Sequence, residues 1–496
     1  MTTTPLTRAE ATGWRETSLH AHVLGFLDAL RGDARLHLSH FGQTPEGRAL
    51  PLVVASARGL HTPEAAHASG LPVVLVICGI HAGEVEGKEA MLMLLRDLLG
   101  SSAGDLLEHL TLVVVPLFNP DGNDRIDPAN RAMCLAKLEG QDGPITGVGT
   151  RTNAAGINLN RDYMRQDAEE MRLLARHVWQ RWTPHLTVDC HATNGSIHRY
   201  DLTYDTPHTT ASGPAAPIAW VRQTFLPQVT ARLRAATGRE TWFYGNFVRD
   251  EGGDGPGWMT YTHHPRFGSN YRGLSGRMDI LAECYSYLSF PERVATTYGF
   301  LWQVLHLAAE RGAEIRDLVL THQRPPDQIA VRARLEADPD PVPILTREPY
   351  ALDGDPITVT VPHYCRFVGE VVVKRPLAYA VPEALVPRLE GHGLQITRLD
   401  RATPAELDQA TLGPALPTPS RRILESTAGE ALRAVDWQRR ATTLPSGTPL
   451  LYTDQPCGAL ATYLLEPESD DGLLACGWLP PLPDGAVWPV LRVLGI

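Results

Sequence analysis

The feature that most constrains the fold of this chain is a continuous apolar run, residues 71–77, that leads directly into a polar segment. A strand with apolar side chains at successive positions has no solvent face, which is typical of a parallel sheet covered by helices on both sides. The run is followed by a helical pattern over 85–99 and by a second apolar run over 110–117. This strand, helix, strand order predicts a parallel crossover and therefore an α/β domain.

The same alternation continues to about residue 320. The spacing of apolar residues predicts an amphipathic helix over 167–182, strands over 186–190 and 278–283, and a helix over 291–311 with a proline at its start. Beyond it, five prolines between 323 and 343 indicate a boundary. We therefore expect a first domain over 1–322, a Pro-rich linker over 323–344, and a smaller C-terminal accessory domain, α+β or mostly β, over 345–496.

Charge and cysteine usage exclude several classes of protein. The formal net charge is −11, and no clustered basic stretch offsets it, which disfavours a nucleic-acid partner. No apolar run approaches the twenty or so residues of a membrane span, and the N-terminus lacks the apolar core of a secretory signal. Seven cysteines form no Cys-x-x-Cys pair, so we expect reduced thiols in a cytoplasmic protein. The oligomeric state is not indicated.

Residues with ligand and proton-transfer chemistry follow the predicted buried strands. His81 and Glu84 come after the strand at 71–77, His191 directly follows the strand at 186–190, and Glu283 ends the strand at 278–283. Ligands bind outside the carboxyl ends of strands in open α/β sheets, so these four side chains are expected at one edge. Two imidazoles and one carboxylate form a known catalytic zinc set, and a free carboxylate beside them can transfer protons.

Each of these residues also has an ordinary structural interpretation. A single His-x-x-Glu occurs by chance in many chains, His191 alone fits a hydrogen-bonded histidine at a strand end, and Glu283 alone fits a buried carboxylate paired with Arg272 or Arg277. Asn160 and Arg161 fit a polar turn before the helix at 167–182, or else a pair that binds a carboxylate. The joint placement after successive buried strands favours the site.

Several motifs in one order carry a family resemblance. They are the segment 41–50 (FGQTPEGRAL), His81-Ala-Gly-Glu84, Asn119-Pro-Asp-Gly122, the stretch from Arg151 to Arg161, Asp189-Cys-His191 and Glu283. Together they resemble the zinc carboxypeptidase family of metallopeptidases, in its bacterial branch with a C-terminal extension, over about residues 35–310. The resemblance implies an α/β fold with a mixed, largely parallel sheet flanked by helices.

The resemblance also implies roles for individual residues. It implies that His81, Glu84 and His191 hold one Zn²⁺ per chain and that Glu283 acts as general base and acid. It implies that Asn160 and Arg161 bind the substrate's terminal carboxylate and that Arg151 polarises the scissile carbonyl, with Arg125 and Arg131 as further candidates. Tyr244 is expected to close over the substrate, with Tyr261 as its rival. Ala192 and Thr193 follow the third ligand where the digestive branches have Ser-Tyr, and residues 252–257 replace a Ser-Gly-Gly segment.

The expected function is therefore a zinc-dependent metallopeptidase that hydrolyses an amide bond and releases a C-terminal residue from a peptide. The alternative is a zinc amidase or deacylase that acts on a cell-wall peptide or an N-acyl amino acid with the same metal set. A third reading is a binding protein whose catalytic set has decayed, although every expected polar position is present. The expected partner is a peptide or small amide substrate, without nucleic acid or membrane.

Overall fold

The computed structural model describes residues 4–100, 102–248, 257–416 and 432–496. The part before residue 290 contributes ten strands of the described chain. They are β1 Leu36–Gln43, β2 Ala49–Ala55, β3 Val73–Cys78, β4 Thr111–Val115, β5 Leu186–Thr193, β6 Leu202–Asp205, β7 Thr241–Phe243, β8 Asn246–Val248, β9 Gly257–Met259 and β10 Met278–Tyr285.

Eight of these strands form the central sheet, in the order β1-β2-β4-β3-β5-β10-β6-β7. Its middle is parallel, because β3 pairs in parallel with β4 and β5, and β5 with β10. The pairs β1 with β2, β2 with β4, and β6 with β10 are antiparallel. The expected mixed, largely parallel sheet is confirmed, and every residue of β3 is buried, as its apolar run predicts.

Helices cover both faces of this sheet. Up to residue 321 they are α1 Arg8–Ala11, α2 His20–Leu30, α3 Pro63–Ala68, α4 Glu86–Gly100, α5 Pro120–Asn123, α6 Glu169–Leu173, α7 Gln180–Trp182, α8 Ala215–Trp220, α9 Leu226–Thr237, α10 Gly268–Leu274, α11 Phe290–Glu310 and α12 Gly312–Thr321. π-helical stretches at Leu174–Trp179 and Val221–Phe225 join α6 to α7 and α8 to α9. Alternate residues of β3 divide between the two cores: Val74 packs with the α4 side, and Leu75 with the α6 and α7 side.

The C-terminal part is mostly β, as expected. Its strands and helices are β11 Gln328–Ala337, β12 Val342–Glu348, β13 Asp355–Val361, β14 His363–Lys374, β15 Ala378–Ala380, α13 Val386–Gly391, β16 Thr397–Arg398, β17 Thr403–Ala415, β18 Arg433–Leu444, β19 Pro449–Tyr452, α14 Gly458–Leu465 and β20 Val487–Gly495. Six of the strands form an antiparallel sheet in the order β16-β19-β15-β20-β17-β18. Strands β12 and β13 form a separate hairpin.

One four-stranded sheet joins the two parts of the chain. Its order is β11-β14-β9-β8, so two strands of the later part of the chain lie beside two strands of the earlier part, and β9 pairs with β14 where they meet. Residues 323–344, which the prolines mark as a linker, therefore contain β11. Ile329, Ala330 and Val331 are buried, so burial of their apolar side chains favours packing of this stretch over an extended path through solvent. Proline content signals interrupted hydrogen bonding, and it does not exclude a strand between the prolines.

No helix in the described ranges has both the length and the apolar character to cross a bilayer. All seven cysteines lie in the described part of the chain, and each is a free thiol.

Candidate active site

Three neighbouring parallel strands position the predicted site residues. β3 ends at Cys78, and the loop before α4 carries His81 and Glu84. β5 carries His191 and β10 carries Glu283, and these two residues lie opposite each other in the parallel register. The four side chains therefore meet at the carboxyl edge of the sheet, as the pattern of buried strands predicts.

Three of these side chains direct their donor atoms at one point. His81 Nδ1 lies 3.2 Å from Glu84 Oε1, and His191 Nδ1 lies 2.9 Å from Glu84 Oε2. The two imidazole Nδ1 atoms are 3.2 Å apart. All three residues are only 3% exposed. Two imidazole nitrogens this close to each other and to a carboxylate fit a shared cation, and the donor set is one that zinc binds in hydrolases.

Outer hydrogen-bonding partners leave the Nδ1 atoms free for a metal. His81 Nε2 is hydrogen bonded to Asn158 Oδ1 at 3.0 Å, so the carbonyl oxygen of Asn158 accepts the ring N–H. His191 Nε2 lies 3.2 Å from Asp189 Oδ1, and Asp189 Oδ2 accepts a 2.7 Å hydrogen bond from Arg272 Nη2. Such outer partners fix the tautomer and orientation of a metal-binding histidine.

The charge states agree with this assignment. Burial lowers the pKa of His81 to about 3, so this ring is neutral and able to ligate. Burial acts to lower the pKa of His191 as well, but Asp189 and Glu84 raise it well above its usual value, so the site attracts positive charge. Burial raises the pKa of Glu283 to about 8, against the opposing effect of His191. A carboxyl group that titrates near neutrality suits proton transfer.

Two arginines from different loops bind the Glu84 carboxylate and face the same cleft. Arg131 Nη1 and Arg151 Nη1 donate to Glu84 Oε1 at 3.0 and 3.1 Å. Arg131 approaches across Gly83, where a Cβ atom would lie 2.7 Å from Arg131 Cδ, so a glycine is required there. Arg125, in contrast, pairs with Glu46 Oε1 at 2.6 Å and does not line the cleft. The structure thus separates the three arginine candidates into two that face the cleft and one that does not.

Asn160 and Arg161 lie on the side of the cleft formed by the start of α10. Asn160 Oδ1 accepts a 2.9 Å hydrogen bond from the Gly268 backbone N–H, and its Nδ2 lies 3.4 Å from His191 Nε2. The Arg161 guanidinium lies over the Phe267 ring, 3.7 Å from its centroid. This cation–π contact holds the guanidinium against the ring at the cleft wall.

The cleft that contains these residues has a volume of about 650 Å³. Tyr244 and Tyr261 both line it, with ring centroids 5.9 Å apart. Burial and the nearby Glu283 raise the pKa of Tyr244 to about 12, so its hydroxyl stays protonated. Of the glycine-rich segment 252–257, residues 252–256 lie outside the described residues.

Sequence reasoning missed part of the cleft wall. Leu335 of β11 and Phe367 of β14 line the same cavity as His81 and Glu283. They belong to the C-terminal part, for which the sequence indicated no chemistry. The loop before α10 is also held from that part, because Arg266 Nε donates to Asp471 Oδ1 at 2.7 Å and His263 Nε2 lies 2.9 Å from Asp470 Oδ2. No local pattern relates residues that are so far apart in sequence.

The fold and the site define a class of protein, a metal-dependent hydrolase built on an α/β sheet. The family is given by a match of residues 23–196 to the family model described as zinc carboxypeptidase. The expected resemblance to this family is confirmed over that segment, and the family's description names zinc as its metal. His81, Glu84 and His191, the three residues whose donor atoms meet at one point, all fall inside the matched segment.

Curated relatives and solved structures are similar to the chain at lower identity. Carboxypeptidase 2 from Trichophyton tonsurans and that from Trichophyton equinum are each 23% identical, over 84% of this chain and 75% of the relative. A metallo-carboxypeptidase from Burkholderia cenocepacia has a TM-score of 0.40 at 19% identity, over 58% of this chain and 68% of that one. A metallo-carboxypeptidase from Pseudomonas aeruginosa, solved with (2-guanidinoethylmercapto)succinic acid, has a TM-score of 0.40 at 17% identity, over 58% and 69%.

Proposed function

We propose that this protein is a zinc carboxypeptidase that removes a C-terminal residue from a peptide. The observation that carries the proposal is the arrangement of His81, Glu84 and His191 around one point, with the free carboxyl of Glu283 beside them and Arg161 in the same cleft. A metal ligand set, a proton carrier and a carboxylate-binding cation are the three parts that such a reaction needs.

His81 Nδ1, Glu84 and His191 Nδ1 would hold the zinc ion. When bound there, zinc supplies Lewis acidity, which polarises a carbonyl oxygen and makes a water molecule more acidic. Glu283 accepts the proton of the attacking water and passes it to the nitrogen of the leaving amine. Arg151, whose side chain is 41% exposed to the cleft, is placed to donate to the carbonyl oxygen as negative charge develops.

Substrate orientation depends on the free carboxylate at the C-terminus. The Arg161 guanidinium, in cation–π contact with Phe267, would donate N–H groups to that carboxylate. Asn160 fixes the wall beside it through its bond to the Gly268 backbone. Tyr244 lines the cleft with a protonated hydroxyl and completes the binding surface.

The test compares peptides that differ only at the terminus. With the zinc-loaded protein, a free-acid peptide should be cleaved about a hundredfold faster than its C-terminal amide, since about 3 kcal/mol of transition-state binding is lost without the carboxylate. Arg161→Ala should remove most of that difference by slowing the free acid. Arg151→Ala should slow both substrates. Equal rates on acid and amide by the native protein would contradict carboxypeptidase action and support the amidase alternative.

A further inference from the structure

The C-terminal part of the chain forms a wall of the substrate cleft that has no assigned role in the proposed reaction. Leu335 on β11 and Phe367 on β14 are direct cross-strand partners, so their side chains lie on one face of the four-stranded sheet. Both line the cavity that holds the metal ligands. Met259 on β9, which pairs with Tyr364 of β14, adds a third apolar side chain from the same sheet.

Leu281 of β10 is a further apolar residue that lines the cavity, on the strand that carries Glu283. It precedes Glu283 by two residues on β10, so both side chains project from the same face of the strand. Leu281 and Glu283 both line the cavity. An apolar side chain of this cavity therefore lies on the same strand face as the proposed proton carrier.

A series of ring contacts connects this wall with the end of the cleft where Arg161 would bind the carboxylate. Arg161 stacks on Phe267, whose ring lies 5.8 Å from that of Tyr261. Tyr261 contacts the His208 ring at 4.4 Å, and His208 contacts the Phe367 ring at 5.1 Å. These contacts connect the wall, through Tyr261 and His208, with the end of the cleft where Arg161 would bind the terminal carboxylate.

The wall carries no charge of its own. None of the described residues that line the cavity from β9, β11 or β14 is charged. The polar contributions on this side are the neutral hydroxyls of Thr260, Thr262 and Ser269. An ionised substrate side chain placed here would lose its hydration without gaining a partner, whereas an apolar one would gain buried contact.

We infer that Leu335 and Phe367, with Met259 and Leu281, form a pocket that selects substrates whose released C-terminal residue is apolar, aliphatic or aromatic. The inference rests on the proposed function for the orientation of the substrate. It assigns to the C-terminal part a specificity-determining role, so the cleft is incomplete without β11 and β14.

The experiment measures kcat/KM of the zinc-loaded full chain on N-benzoyl-glycyl peptides that end in phenylalanine, leucine, alanine, arginine or glutamate. Phenylalanine and leucine should exceed alanine at least tenfold, and arginine and glutamate should fall below it. Leu335→Asp should lower the rate for phenylalanine and leucine at least tenfold and raise that for arginine. Phe367→Ala, a milder change, should reduce the preference for phenylalanine. Val372→Asp is the control, since Val372 is on β14 but 50% exposed on its surface.

A binding measurement separates this inference from the proposed reaction. Zinc-loaded Glu283→Gln should bind N-acetyl-phenylalanine more tightly than N-acetyl-arginine by calorimetry, and Leu335→Asp in that background should abolish the difference. Selectivity that is unchanged in both wall variants, or equal rates on all five peptides, would overturn the pocket while leaving carboxypeptidase action intact. Loss of the preference for free-acid peptides alone would instead refute the proposed function. In that case the selectivity of the pocket would still be measured on the matching peptide amides.

Discussion

His191 and Glu283 lie directly opposite each other on the parallel strands β5 and β10. Their spacing is set by the hydrogen bonds of the sheet and does not depend on a mobile loop. The outer partner of His191 is fixed in the same way, because Asp189 lies on the same face of β5 and Arg272 binds its other oxygen. The proposed ligand and the proposed proton carrier are thus both positioned by neighbouring strands of the central sheet, which favours catalysis by preorganised groups.

The metal centre is tested by His191→Ala. We expect this variant to lose zinc while the large sheet core keeps its fold, since His191 contributes a ligand and little packing. Metal analysis together with circular dichroism measures both outcomes. Cys190→Ala is the matched control: its Cβ faces Gly87 of α4, on the other side of β5, so this variant should keep zinc and activity. Full zinc occupancy in His191→Ala would refute the ligand assignment.

The role of Glu283 is tested by Glu283→Gln. The amide keeps the shape of the side chain but cannot accept a proton, so zinc should stay bound while kcat falls by about 10²–10⁴-fold. Zinc content and kcat are measured on the same preparation. Glu139→Gln, which changes a carboxylate elsewhere in the same cleft, should have a far smaller effect on kcat. Loss of zinc from Glu283→Gln would make this residue a ligand and the assigned roles incorrect.

The contact between the loop before α10 and the C-terminal part is tested by Asp471→Asn. Asp471 accepts 2.7 Å hydrogen bonds from both the backbone N–H and the Nε of Arg266. Removing its charge leaves a buried guanidinium with a weaker partner, which costs about 3 kcal/mol of unfolding free energy when buried pairs are broken. We expect lower stability and a raised KM with zinc retained, because Phe267 and Gly268 follow Arg266 directly.

The matched control for that change is Asp454→Asn. Asp454 pairs with Arg324 on the surface, and both side chains are more than half exposed, so denaturant midpoint and KM should be unchanged. A KM of Asp471→Asn equal to that of the native protein would show that the C-terminal part does not position the loop.

The pH dependence of stability is tested at His198, a buried residue outside the proposed ligand set. Burial lowers its pKa to about 3, and its ring packs 4.0 Å from that of Tyr285. Because the folded pKa lies below the unfolded value of about 6.5, its stabilising effect is complete above pH 6.5 and is lost as the pH falls towards 3. Between pH 7.5 and pH 5 this amounts to about 2 kcal/mol.

Denaturant unfolding of His198→Phe at the two pH values measures the effect. The variant should lose about 2 kcal/mol less than the native protein on acidification, by the linkage between protonation and folding. His40→Phe, at an exposed position, should keep the native pH dependence. If His198→Phe also keeps it, His198 is protonated in the folded protein and the assignment of a neutral ring is wrong.

The sequence predicts the convergence of the four candidate residues well and the rest of the cleft poorly, for a physical reason. His81, Glu84, His191 and Glu283 each follow or end a strand whose apolar run is visible in the sequence, and parallel strands bring their carboxyl ends to one edge. In contrast, β8 and β9 are three residues long, too short for a periodic pattern. The pairing of β9 with β14 spans more than one hundred residues, which no local signal encodes.

Arg131 illustrates the same limit on a smaller scale. Its sequence context resembles that of Arg125, and only the positive φ of 53° at Arg131 and the missing side chain of Gly83 bring its guanidinium to Glu84. The expected linker at 323–344 differs from the structure for a related reason, since the partner of β11 is β14, which comes later in the chain.

Because β9 pairs with β14, which comes more than one hundred residues later, this sheet is completed late during synthesis. All three proposed zinc ligands and Glu283 are translated before residue 290, whereas Leu335, Phe367 and Asp471 emerge from the ribosome later. Chains generally fold from the N-terminus as they are made. A nascent chain therefore acquires the proposed catalytic residues before it acquires the strands that would form the selective wall of the cleft.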